Sequence, residues 1–418
     1  MKLWTGQSIS LLGTQITLLA MPFAAILLLH ASPFEVGLLT TIEYLPFLLV
    51  GLPAGVWVDR MRRRPILIAG DLGRAVALIS VPIAHGLGLL TLPQLYVVSL
   101  VTGVLTVFFD VSWQSYLPSI VRREQLVEGN SKLEISRSGT QLAGPGLAGG
   151  LVQLVGAATA IVGDAVSYVV SAVFVGAIRR SEPPVEKPAV KPRMRAEIGE
   201  GLRYVLRNRY LRSIAACTGS ANFFESMILA IFVLYAVRVL GLSPGLIGLV
   251  FAIGNAGAVI GAFLSGWVPR RFGIGPAIIL GAITFAPPVI LIPLAPKSFP
   301  LPFLITSLAL TAAGGVVYNV NNVGFRQAIT PLRMQGRMNA TMRFIVWGTM
   351  PLGALIGGTL GGLIGLRPTL FIAAIPGMLT FLPVLLSPLR RLREIPAVAE
   401  EDKPPPEPVV PAPVPAKD

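Results

Sequence analysis

Trp57-Val58-Asp59-Arg60 and Trp267-Val268-Pro269-Arg270 are two copies of one pattern, and each closes a long apolar run. At the same separation of about 209 residues, Asp110-Val111 pairs with Asn319-Val320 and Asn130 with Asn339, while Gly149-Gly150 pairs with Gly357-Gly358 after a small gap. A repeat of that length makes the chain two copies of one large unit.

Each unit is too apolar for water. Of all residues 53% are hydrophobic and 13% charged, and mean hydropathy is +0.73, whereas a soluble domain carries about 25% charged residues. A helix crossing a bilayer needs about 20 apolar residues. Such segments fall at 7–29, 34–57, 65–87, 92–116, 138–156, 159–178, 211–238, 244–267, 274–295, 300–323, 342–364 and 368–388. The sequence therefore predicts an all-α membrane protein with twelve transmembrane helices in two parallel six-helix repeats, related by an axis along the membrane normal. The first apolar run continues to Leu29 without a small-residue cleavage pattern, which predicts a retained helix rather than a signal peptide. Pro82, Pro145, Pro287, Pro288 and Pro351 lie inside spans, where neighbouring helices can satisfy the freed carbonyls, and are expected to bend them.

Four regions follow. Residues 1–178 form the first half, 179–210 a connecting linker, 211–388 the second half, and 389–418 a Pro-rich tail expected to be disordered. Within the linker, residues 196–211 alternate apolar and basic positions and predict an amphipathic helix lying along the inner membrane surface. With both termini cytoplasmic, the loops on the opposite side hold only Arg238, Lys297 and Arg367 of the 34 basic residues, as the positive-inside rule requires. That topology accounts for the net charge of +14 without nucleic acid, because the basic residues are spread over helix ends. The lone Cys217 forms no intrachain disulfide.

The chain has no Gly-x-x-x-x-Gly-Lys-Ser/Thr loop, hence no ATP motor of its own. Its two histidines, His30 and His85, fall near outer helix ends, and no Cys/His cluster has metal-ligand spacing. No enzyme chemistry, cofactor or metal is therefore expected, which leaves secondary transport. An ionisable group in the bilayer costs from about 3 to 10 kcal/mol or more, so each needs a cavity, a partner or a proton. Glu43, Asp110, Asp164 and Glu225 stand out on that ground. Asp110, Glu225 and Glu43 are the proton-coupling candidates. Asp110 can also be read as pairing with Arg137, and Asp164, expected near water at an outer helix end, as structural. Gly353, Gly357 and Gly361 have the spacing that lets helices approach closely.

Gly55-Val-Trp-Val-Asp59-Arg60-Met-Arg62-Arg63-Arg64 resembles the Gly-x-x-x-Asp-Arg-x-Gly-Arg-Arg signature between helices two and three of the major facilitator superfamily, with Arg62 in place of glycine. Phe109 to Leu126, Gln7 to Gln15 and Gly163 to Tyr168 resemble the branch that contains the enterobactin exporter and the macrolide efflux proteins. Helix four carries Asp110 where many relatives have a coupling arginine, and Gly144-Pro145-Gly146-Leu-Ala-Gly149-Gly150 is one residue longer than the antiporter signature. The resemblance implies that Gly55, Asp59, Arg60, Arg63 and Arg64 form a gating loop that latches against the inner end of helix eleven. It also implies alternating access to a central cavity, for which Gln15, Phe109, Trp113, Asn222, Phe223, Asn255, Asn319 and Asn322 are the candidate lining. No arginine is read at a clear midplane position, so aromatic and amide groups point to apolar or cationic molecules. The expectation is proton-coupled efflux of a bulky amphipathic drug or secreted metabolite across the cell membrane by a monomer among lipids. An uptake symporter or lipid flippase is the alternative.

Overall fold

The computed structural model describes residues 2–58, 60–120, 126–178 and 194–394. All regular structure among them is helical. Hydrocarbon offers no hydrogen-bond partners, so a spanning backbone must satisfy itself, and helices do this within one segment. In chain order they are α1 Lys2–Phe23 (continued by a wider π-type turn, Ala24–Leu28), α2 Pro33–Leu49, α3 Gly51–Val58, α4 Arg63–Gly86, α5 Leu92–Ile120, α6 Leu126–Val155, α7 Ala157–Gly176 and α8 Met194–Arg207. There follow α9 Arg209–Arg238, α10 Pro244–Asn255, α11 Gly257–Phe272, α12 Ile274–Phe285, α13 Leu291–Leu294, α14 Leu301–Ala328, α15 Leu332–Ile364, α16 Leu366–Met378 and α17 Leu382–Leu385.

Ten helical stretches among the described residues are long and apolar enough to cross a membrane. Two segments expected from the sequence are not among them. The run 34–57 breaks at Val50, because Pro53 has no N–H to donate to the Leu49 carbonyl. Val50 nonetheless donates to the Pro46 carbonyl (2.8 Å) and accepts from the Ala54 N–H (2.8 Å), which joins α2 to α3 end to end. Residues 138–155 of the other run are unbroken helix within α6, but Gln141, Gln153 and the glycines from Gly139 to Gly150 dilute its hydropathy.

Caps set where chain reversals fall, and they come in pairs. Ser32 caps α2 in a reciprocal capping box with Glu35, followed by Pro33; Ser243 caps α10, followed by Pro244. Just before them, His30 (φ 52°) and Gly241 (φ 71°) adopt the left-handed conformation. That turn lets Ala31 donate to the Ala25 carbonyl and Leu242 to the Ala236 carbonyl, both at 2.9 Å. Gly156 (φ 84°) and Gly365 (φ 90°) likewise precede α7 and α16.

Helices pack in two groups. In one, α1 lies against α6 and α7, and α4 against α5 and α7; in the other, α9 lies against α15 and α16, and α14 against α11 and α12. Two seams join the groups, α2 on α15 and α6 on α10. Both seams are glycine contacts. A Cβ on Gly37 would lie 2.5 Å from the Gly358 Cα, and one on Gly149 would lie 2.7 Å from the Gly248 Cα, so only glycine permits the approach. Gly353 and Gly357 serve the α15–α9 contact in the same way, against the carbonyls of Phe223 and Met227.

Buried apolar residues show how the groups meet along their length. At the end away from the start of α1, one cluster runs through both groups, from Leu19–Ile26 of α1 and Leu39 of α2 to Met227–Ala236 of α9 and Val250 of α10. At the opposite end the core is divided: Leu3, Leu67, Phe109, Tyr116 and Val175 form one cluster, while Leu211, Ile278, Phe325 and Met342 belong to another. The halves are sealed at one end and parted at the other.

Candidate functional site: the cleft between the halves

Where the shared cluster gives way to two separate ones the halves no longer have a common core, a parting referred to below as the cleft, and three acids lie at its edge. Asp110 of α5 is exposed, within electrostatic reach of Arg74 and Arg137 on its own side and of Arg343 on α15 across the gap. Glu225 of α9 is exposed, and Glu43 of α2 is half-buried; the Tyr44 hydroxyl feels the charge of both, so α2 and α9 bring their carboxylates to one region. One helical turn from Glu43, the Phe47 ring packs on Trp347 of α15 with centroids 4.4 Å apart.

The other cavity candidates divide. Trp113 is half-buried and stacked on Phe109 (6.1 Å), whereas Phe109 itself is only 2% exposed and belongs to the core. Asn319 is exposed, while Asn322 is 2% exposed with its Oδ1 unmatched by any hydrogen bond. Asn222 donates back to the Thr218 carbonyl (2.8 Å), and Phe223 meets Phe224 edge-on. Gln15 packs its methylenes where a Cβ on Gly144 would sit, at the α1–α6 contact. Asn255 pins a seam: its Nδ2 donates to the Gln141 carbonyl at 2.8 Å, and at the other end of α10 the Gly245 N–H donates to Gln153 Oε1 at 2.8 Å.

Of the gating-loop candidates, Gly55 lies in α3 and Arg60 is exposed. Arg63 and Arg64 begin α4, with Arg64 donating to the Gly176 carbonyl at the end of α7. Asp59 lies outside the described residues. The linker helix α8 packs on α15 through Gly201, and Glu200 pairs with Arg337 at 2.6 Å.

Sequence reasoning missed the most buried charges. It found no mid-helix arginine, yet Arg74 sits at the middle of α4 and is 3% exposed. Its Nη2 donates to Asp71 Oδ1 at 2.6 Å and its Nε to the Gly70 carbonyl. The guanidinium carbon lies 4.3 Å from the Phe109 ring centre and 4.1 Å from that of Tyr168. Each contact compensates part of the desolvation of a buried cation. Asp164 is also fully buried, not beside water: it accepts from the Thr17 and Ser167 hydroxyls and ties α7 to α1. The signal for the pair was Asp71-x-x-Arg74, two opposite charges one helical turn apart in an apolar run.

A helical membrane protein with two packed groups, a cleft between them and acids at that cleft is built as a transporter rather than an enzyme. The model of the transmembrane secretion effector family matches residues 1–416, and the chain belongs to that family of the major facilitator superfamily. The multidrug efflux pump Tap of Mycolicibacterium fortuitum is 26% identical over 405 residues, covering 92% of this chain and 93% of Tap. Macrolide efflux protein A of Streptococcus pyogenes is 22% identical, covering 87% and 90%. Among solved structures, a bacterial homologue of the iron transporter ferroportin in its inward-facing state superposes with TM-score 0.75 at 17% identity, covering 92% of this chain and 97% of that one.

Proposed function

We propose that the protein exports a bulky amphipathic drug or secreted metabolite across the bacterial cell membrane, coupled to protons and by alternating access. The observation that carries this is the core: continuous through both halves at one end and divided at the other, with Asp110, Glu43 and Glu225 at the parting. Rocking about the glycine seams would divide the sealed end and join the parted one. The multidrug and macrolide efflux functions of the relatives favour export.

In this proposal the chain crosses the membrane twelve times. α2 with α3, and α6, supply the two passes beyond the ten most apolar stretches. Residues 1–178 and 211–388 are parallel repeats, supported by the paired turns at His30/Gly241 and Gly156/Gly365. The linker 179–210 and the tail 389–418 lie on the cytoplasmic side, and the parted end faces the cytoplasm. Asp59 with Arg60, Arg63 and Arg64 latches the cytoplasmic end when it closes. The unit is a monomer surrounded by lipid.

Proteoliposomes provide the test. An imposed proton gradient should drive movement of a fluorescent amphiphile such as a rhodamine dye or a macrolide, and collapsing the gradient should stop it. Movement that ignores the gradient would remove the coupling claim. Cleavage of the tail by protease added outside right-side-out vesicles would overturn the orientation.

A further inference from the structure

The two halves treat one interior position in opposite ways. Register between them is fixed by the paired left-handed turns: Thr14 stands as far before His30 as Glu225 before Gly241, and Tyr168 as far after Gly156 as Gly377 after Gly365. At the separation of the first pair of turns, 211 residues, Arg74 corresponds to Phe285, and at that of the second, 209, Phe109 corresponds to Tyr318. Contacts agree with the pairing. Arg74 lies over the Phe109 ring, and the Phe285 ring packs 5.5 Å from that of Tyr318; Gly70 backs onto Phe109 as Gly281 backs onto Tyr318.

In the first half the space is filled. The Tyr168 ring covers Arg74 from the second side, its hydroxyl 3.0 Å from Thr14 Oγ1. In the second half Gly377 replaces the tyrosine, and a cavity of about 30 Å³ remains, lined by Phe224, Glu225, Phe285, Thr311, Gly377 and Thr380 among others. A water needs about 10–15 Å³ on this measure, so an ammonium-sized group fits and a whole drug does not. Where the first half has the Thr14 hydroxyl, the second has a carboxylate, and Glu225 has no hydrogen bond or ion pair among the described residues. The hydroxyls of Thr311 and Thr380 already donate, to the carbonyls of Phe285 (3.2 Å) and Gly377 (2.8 Å). What they offer the cavity is therefore lone pairs, which accept from an N–H donor.

We propose that this cavity seats the protonated amine of a cationic amphiphile: the ammonium pairs with Glu225 between the Phe224 and Phe285 rings, and the apolar body of the molecule lies in the cleft. The first half holds a built-in version of the same arrangement, a cation against two rings with an aspartate beside it. A compact ammonium is attracted to ring faces and to a carboxylate at low dielectric, and a neutral group of the same size gains neither. The inference deepens the export proposal by naming the substrate class, and rests on it for direction only.

The test is equilibrium binding to purified full-length protein in nanodiscs. The probes are a dansyl alkylamine and the dansyl alkanol of equal chain length, the first cationic and the second neutral at pH 7. The amine should bind about tenfold or more tighter, a difference of roughly 1.4 kcal/mol. Glu225→Gln should erase that preference. Gly377→Leu, which places a side chain in the cavity and leaves the carboxylate in place, should weaken the amine to a similar degree. Because its Cβ would meet Phe224 only at 3.4 Å, Gly377→Ala is the milder variant should leucine impair folding, and it should give an intermediate loss. Equal affinity of amine and alkanol for the unaltered protein would overturn the assignment, as would an amine affinity unchanged in both Glu225→Gln and the Gly377 variants. Should the amine bind as described while proteoliposomes move no substrate, the export proposal fails and the cavity assignment stands.

Discussion

The first half of the molecule fills its centre with a fixed charge, whereas the second leaves its centre hollow beside a free one. Arg74 is locked by Asp71, Phe109 and Tyr168, with almost no exposure. Glu225 is exposed at a cavity bounded by Phe285 and Gly377. The two groups of helices thus differ in charge balance. One neutralises its buried cation internally, and the other leaves an acid with no hydrogen bond or ion pair among the described residues.

That contrast is easiest to break at its most buried point. Arg74→Ala strands Asp71 at 0% exposure, and losing one member of a buried pair costs about 3–5 kcal/mol. The thermal midpoint of the detergent-solubilised protein should fall steeply. The mirror change, Phe285→Ala, enlarges a cavity that already exists and removes no charge, so its midpoint should fall visibly less. Equal losses would mean that the halves are not differently built.

Next in size is Gly37→Leu. The Cβ alone would stand 2.5 Å from the Gly358 Cα, so the sealed end cannot close around it. Transport should be abolished, and thiol labelling of a cysteine placed at Leu39, now 2% exposed, should rise. Gly248→Leu acts on the other seam and should do the same. A tolerated leucine at either site would show that this seam does not hold the sealed end.

Asp110→Asn and Glu225→Gln separate the halves by function. Each amide keeps shape and most hydrogen bonding but deletes the exchangeable proton. Gradient-driven accumulation should collapse in both, while downhill exchange persists in Asp110→Asn. Full accumulation in both variants would eliminate these acids as couplers and leave Glu43. The smallest effect is expected at Asn255→Ala, which removes one hydrogen bond across the α6–α10 seam, worth about 1 kcal/mol. Its midpoint should shift slightly with little change in transport.

Much of this was legible in the sequence because a bilayer punishes polar backbone and charge alike. The apolar runs located the helices, and the Trp57/Trp267 pattern gave the reason to expect two copies. A stronger register was also present and passed over: Ser32-Pro33 with Gly37 recurs as Ser243-Pro244 with Gly248, cap and close contact together. The acids at Asp110, Glu43 and Glu225 stood out because a lone carboxylate in an apolar run has no local explanation. Arg74 did not, because Asp71 one turn away makes the helix locally neutral. Nor did periodicity show which side of a helix Asn255 or Phe109 would present. Those depend on a neighbour brought in from elsewhere in the chain, Gln141 on the α6 seam and Arg74 on α4.

The glycine contacts at the seams also constrain how this gene can drift. Gly37, Gly149, Gly248 and Gly358 each face backbone on the opposing helix at less than the distance any Cβ tolerates. Every codon change away from glycine adds that atom, so the residues on the lipid-facing surfaces are free to wander while these four cannot. A saturation library selected for resistance to an exported compound should therefore go blank at these four seam positions, as at Gly353 and Gly357, long before it thins at any apolar residue beside them.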